Sequence, residues 1–155
     1  MVQAITANAD KVVTGPVTQT DANNIFPAGM SAMNPMVTVV TGDLTINAWH
    51  NTGYGLLLVT GQLKYDPDAT WDGVILVIGK GVFVSNQNGT GRINGTVFVA
   101  NTRDAAGNLR QNLGPASFSQ TGGYGIRYSS SWVNKTGPLL PYQVLSFREI
   151  AQTTP

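Results

Sequence analysis

The sequence predicts an all-β fold, a right-handed parallel β-helix (β-solenoid) of about 4–5 short coils with capping segments at both ends. Three observations lead there. An apolar string that closes on glycine or asparagine recurs four times, and a second short strand follows the closing glycine in three of them. The polar positions carry Asn, Thr, Ser and Gln, while charged residues make up only 11% of the chain. Outward faces of stacked strands suit such hydrogen-bonding side chains.

The strings are MVTVVTG (36–42), GLLLVTG (55–61), GVILVIG (73–79) and GTVFVAN (95–101). Their closing residues Gly42, Gly61, Gly79 and Asn101 lie 19, 18 and 22 positions apart. A fifth, more distant copy, GIRYSS, starts at Gly125. The second strands are DLTIN (43–47), QLKYD (62–66) and KGVFVS (80–85), the last with one extra residue. A period of about 20 residues with two or three short strands per repeat is what stacked coils require, because each unit buries its apolar surface only against its neighbours.

Equivalent residues then form ladders. Val37, Leu56, Val74, Thr96 and Ile126 make one expected ladder, and Val39, Leu58, Leu76, Phe98 and Tyr128 the next inward one. Leu44, Leu63 and Val82 stack on the second sheet, beside Ile46, Tyr65 and Val84. Tyr54, Trp71, Ile93 and Tyr124 share a corner position. A hairpin-built β-sandwich is the competing architecture, since Asn88-Gly89, Asn94-Gly95 and Gly107-Asn108 offer tight turns. Sandwiches rarely repeat one string in register.

The positions between the inward ones are apolar too: Leu57, Ile75 and Val97, then Val59, Val77 and Val99. Continuous apolar runs mark strands covered on both faces. Chain outside the repeats, either the first 35 residues or the segment after Trp132, is expected to lie across that outer face, or else a partner does. The same six residues are therefore a candidate interaction surface.

A length of 155 residues suits a single domain. Residues 1–35 form an N-terminal capping and covering segment anchored by Phe26, Met30, Met33 and Met36; residues 36–132 hold the coils, interrupted by a polar insertion at 102–117. Residues 133–155 form a C-terminal cap that includes PYQVLSFREI (141–150).

Composition removes whole classes of function. Nine basic and eight acidic residues, with no run of either sign, leave no electrostatic footprint for nucleic acid or for an anionic membrane surface. No stretch approaches the roughly 18 apolar residues of a membrane span. With no cysteine, thiolate catalysis, disulfides and Cys-ligated metals are excluded. The single His50 rules out a His-pair metal motif, no serine sits in a GxSxG elbow, and no glycine run makes a phosphate loop.

Asp66, Asp68 and Asp72 in YDPDATWDG form the nearest thing to an acidic cluster, but Asp and Pro favour turns at a coil corner for local reasons. A Ca²⁺ loop needs more oxygen ligands than these. The sequence thus points to a non-enzyme with no cofactor and no metal. Trp49, Tyr65 and Trp71 are candidate glycan contacts by stacking, although core or corner packing explains such aromatics better.

The strings VVTGDLTIN, TGYGLLLVTGQL, WDGVILVIGKGVFVS, GRINGTVFVANT, GYGIRYSS and LPYQVLSFREI resemble the C-terminal repeat region of PilX-type pilus-assembly proteins of acidobacteria and related bacteria. The likeness covers roughly residues 36–150. In that family a pilin-like membrane helix precedes the repeats, and it has no counterpart in this sequence. The resemblance implies an extracellular or cell-surface setting near type IV pili, and carries over no catalytic or cofactor residues.

The expected function is a non-catalytic structural or adhesive module of an extracellular bacterial appendage, pilus-associated or a self-assembling fibre subunit. Its expected partners are further copies, other appendage subunits or surface glycans. Two alternatives remain: a carbohydrate-binding module using Trp49, Tyr65 and Trp71, and a small polysaccharide-degrading enzyme using Asp66, Asp68 and Asp72.

Overall fold

A computed structural model describes residues 1–18, 24–47, 49–86, 89–121 and 125–137. The chain opens with helix α1 (Val2–Ala7), then β1 (Lys11–Thr14), β2 (Met36–Thr41), β3 (Leu44–Thr45) and β4 (Thr52–Val59). There follow β5 (Gln62–Lys64), β6 (Thr70–Gly79), β7 (Val82–Asn86) and β8 (Ile93–Arg103). Strands β9 (Leu109–Gly114), β10 (Ser117–Thr121) and β11 (Ile126–Tyr128) precede helix α2 (Ser130–Thr136).

The first sheet runs β1-β2-β4-β6-β8-β11, all parallel, with β9 added antiparallel to β8. The second, parallel throughout, runs β10-β7-β5-β3. The all-β β-helix expected from the repeat is corrected accordingly. The chain is a mixed α/β structure: among the described residues it holds a mixed seven-stranded sheet, a four-stranded parallel sheet and two helices.

Two local causes lie behind the correction. In the expected insertion, β8 runs on to Arg103, reverses, and returns as β9. The Asp104 carboxylate accepts the N–H groups of Ala106 and Asn108, each at 2.9 Å, and the Asp104 N–H donates to the Asn108 carbonyl at 2.9 Å. A side chain that fixes its own turn in this way makes a hairpin. At the other site, the Ser129 hydroxyl accepts the Trp132 N–H at 3.4 Å and caps α2. Strand strings carry no signal for either device.

Pairing inside the first sheet follows the string alignment as far as β8: Val37, Leu56, Val74 and Thr96 are in register, as are Val39, Leu58, Leu76 and Phe98. At β11 it does not. Ile126 pairs with Ile93 and Tyr128 with Gly95, because the chain returning from β10 enters the sheet at Gly125, whose carbonyl accepts the Ile93 N–H at 3.1 Å. In the second sheet Leu63 faces Phe83 rather than Val82, a one-residue shift that absorbs the extra residue of KGVFVS.

Both faces of the first sheet are covered from β2 to β6, as the unbroken apolar runs predict, whereas Phe98 on β8 is 58% exposed. The assignment of those faces is the reverse of the expectation. Leu57, Val59, Ile75 and Val77 point between the sheets and pack with Leu44, Leu63 and Phe83. Val37, Val39, Leu56, Leu58, Val74 and Leu76 point the other way, where Ile5 and Val2 from the N-terminal end and Val133 of α2 meet them. Period-2 alternation says which residues share a face, but two apolar faces give no sign of which is inner. Each fully buried aliphatic side chain contributes about 1.5–3 kcal/mol of transfer free energy, so both layers hold the fold.

Candidate functional site

The six residues of the expected interaction surface are not on the surface. Leu57, Val59, Ile75 and Val77 are fully buried between the sheets, and Val97 and Val99 are half-buried against the same core. That expectation is corrected by the reversal of faces.

The expected glycan contacts are enclosed as well. Trp49 and Tyr65 are 5% exposed and Trp71 is 0% exposed. The Phe26 ring sits 4.5 Å from Trp49 and 5.5 Å from Trp71, sealing the side where the loops before β4 and β6 run. The Trp71 indole N–H donates to the Gly55 carbonyl at 3.1 Å. Tyr65 lies against Phe83, and its buried hydroxyl has no hydrogen-bond partner among the described residues. None of the three offers a free ring face to a sugar, because all three fill the interior.

Exposed apolar groups gather elsewhere. Strands β10 and β11 are the last strands of their sheets at one end of the molecule. Tyr128 on β11 is 75% exposed and Phe118 on β10 is 51% exposed, the latter with one ring face stacked on Phe83 at 4.9 Å and 9°. Leu109 and Leu113 of β9 are also exposed. On the helix side, an apolar groove of about 430 Å³ runs over Val74, Leu76, Ile78 and Phe98 and is flanked by Met1 and Val133. It ends at Gly137. The remainder of the expected C-terminal cap, 138–155, lies outside the described residues, as does Tyr124.

The three aspartates separate into two places. Asp72 accepts the Asn94 side-chain amide at 2.6 Å, one strand away. Asp66 and Asp68 instead converge with His50, whose Nε2 stands 3.8 Å from Asp66 Oδ2 and 3.9 Å from Asp68 Oδ2. The three donor atoms all lie within 4.8 Å of one another.

Local hydrogen bonds hold both carboxylates. Asp66 accepts the Trp49 N–H at 3.1 Å and the Asp68 N–H at 2.9 Å. Asp68 Oδ1 accepts the Thr90 N–H at 2.7 Å and the Thr90 hydroxyl at 3.1 Å. Those two bonds keep the Asp68 carboxyl below the usual carboxylate range, with a smaller contribution from His50.

Reading single motifs misses this convergence. The signal was present in the repeat. His50 and Asp68 stand 18 positions apart, the same offset that pairs Thr52 with Thr70 and separates Gly61 from Gly79.

No protein-family model, no curated protein and no solved structure matches the chain. Nothing in these comparisons identifies a PilX-type repeat region, and the pilus and filament descriptions that accompanied the β-helix expectation have no support in them or in the mixed α/β fold. Among the described residues no helix is long and apolar enough to cross a membrane.

Proposed function

We propose that this chain is a non-catalytic structural or adhesive module acting at the cell surface, and that it works by contact through the sheet end formed by β10 and β11. The observation that supports it is that, among the described residues, β10 and β11 are the terminal strands of their sheets there and carry the exposed rings of Phe118 and Tyr128. An open strand edge presents a row of unpaired N–H and C=O groups that templates further pairing. The occupant is a second copy of the chain. At the opposite end of the first sheet, β1 runs parallel to every strand through β11, so the β1 edge of one copy continues the β11 edge of another in the same direction. At that opposite end Val17 lies beside Leu44, extending the second sheet in the same sense. A net charge of +1 opposes such contact very little.

Sedimentation velocity across a concentration series tests the reading. Wild type is expected to gain mass with concentration, and the exposed double variant Phe118→Lys/Tyr128→Lys to stay monomeric with an unchanged circular dichroism spectrum. A monomer at every concentration, or association that survives the double variant, overturns it. A glycan-array signal lost in the double variant would replace the second copy with a surface glycan as partner. Surface placement is checked on intact cells with a membrane-impermeant amine reagent; labelling only after lysis removes that part of the proposal.

A further inference from the structure

We infer that His50, Asp66 and Asp68 form a binding site for a divalent transition-metal cation, with Zn²⁺ the probe of choice. This inference stands apart from the association proposed above and uses none of the same residues. The three donors come from two connections on one side of the sheets: His50 from the loop between β3 and β4, Asp66 and Asp68 from the loop between β5 and β6.

The spacing is the first argument. At 3.8 and 3.9 Å, neither carboxylate oxygen is hydrogen-bonded to the imidazole. The imidazole stands off from both carboxylates by similar amounts. Two ligands that each sit about 2.0–2.2 Å from one tetrahedral ion are separated by roughly 3.3–3.6 Å. The two His–Asp separations are a few tenths of an ångström longer, a gap that a small turn of the exposed His50 ring closes.

The second argument is pre-orientation. The Asp66 side chain is 3% exposed and backbone donors fix both of its oxygens: Oδ1 accepts the Asp68 N–H, and Oδ2, the atom nearest His50, accepts the Trp49 N–H and keeps a second lone pair. The two bonds from Thr90 occupy Asp68 Oδ1 and leave Oδ2 directed at His50. Carboxylates fixed by neighbouring donors in this way are the outer support that metal ligands need. His50 itself is 64% exposed, so an ion has an open path in and room for water on its free positions.

The donor set selects the ion. One imidazole nitrogen with two carboxylate oxygens suits Zn²⁺ and similar divalent transition metals. Ca²⁺ takes six to eight oxygen ligands, which this loop pair does not supply. A bound ion would tie the two connections together, with Thr90 linking a third, and so would brace the side of the fold that Phe26, Trp49 and Trp71 close.

Titration of the chelator-stripped protein with ZnCl₂, against a competing chromophoric chelator, tests the site. One equivalent is expected to bind, with affinity weakened at least about tenfold in His50→Ala and in Asp68→Asn, and unchanged in Asp104→Asn. His50 is exposed, so His50→Ala is expected to fold as wild type does. Zn²⁺ is also expected to raise the melting temperature of wild type and leave that of His50→Ala unmoved. No stoichiometric binding, or binding that His50→Ala leaves intact, overturns the site.

Discussion

Gly95 lies so close above Gly73 that a Cβ at position 95 would stand 1.8 Å from the Gly73 carbonyl oxygen. The two are paired in register, both at φ +149°, and Gly73 is paired in turn with Gly55. The backbone of the first sheet closes up at this line, and only hydrogen fits. Gly95→Ala therefore meets both a left-handed φ and backbone with no flexible side chain to yield. Gly107, at φ +86° with nothing within 4 Å, separates the two effects. In equilibrium urea unfolding, Gly95→Ala is expected to cost about 3 kcal/mol or more, and Gly107→Ala about 1 kcal/mol.

Trp71 makes the second prediction. Its ring occupies the space beside Gly53, where a Cβ would come within 2.1 Å of the indole, and its N–H is bonded to the Gly55 carbonyl. Trp71→Phe removes volume from a fully buried site and takes the indole donor from that carbonyl. The loss is expected to be about 2–4 kcal/mol. Trp132, half-buried on α2 against Tyr54, serves as the reference: Trp132→Phe is expected to cost less than about 1 kcal/mol. Equal losses at the two positions would refute the distinction.

How much was legible in the sequence follows from what a repeat encodes. The register of Val39, Leu58, Leu76 and Phe98 was readable, because equivalent strings align at a fixed offset and parallel strands pair at that offset. The facing of Leu57 and Ile75 was not, since both faces of the sheet are apolar. The helices were hidden for another reason. VQAITA and SSWVNKT are helices of fewer than two turns and mixed propensity, held by packing of Ile5 and Val133 on the sheet rather than by their own sequence. Trp49, Tyr65 and Trp71 were readable as core or corner fillers, but what encloses them was not, because Phe26, whose ring packs on two of them, lies far away in the chain. A single His50 carries no metal motif along the chain, because its partners Asp66 and Asp68 are neighbours through the sheet and not along the sequence.

Asp43 carries a pH-dependent contribution that crosses three strand connections. Its Oδ1 accepts the Gln62 N–H at 2.8 Å, and the Lys80 ammonium lies 2.9 Å from each carboxylate oxygen. Partial burial alone would raise its pKa, but the Gln62 N–H and Lys80 together outweigh it and leave the carboxyl below its ordinary value of 3.8. A carboxyl depressed by folding stabilises the native state above its unfolded pKa, and that contribution disappears as pH falls through the folded value. The stability gap between wild type and Asp43→Asn is therefore expected to be widest near neutrality and to close below about pH 4. Because the carboxylate is partly exposed and screened, the gap is expected to reach only about 1 kcal/mol. Lys80→Met separates the two partners: it is expected to remove the part of the gap that 1 M salt suppresses, while the part due to the Gln62 N–H persists in high salt. A gap that stays constant from pH 7 to pH 3 would show that Asp43 stabilises the fold without its charge.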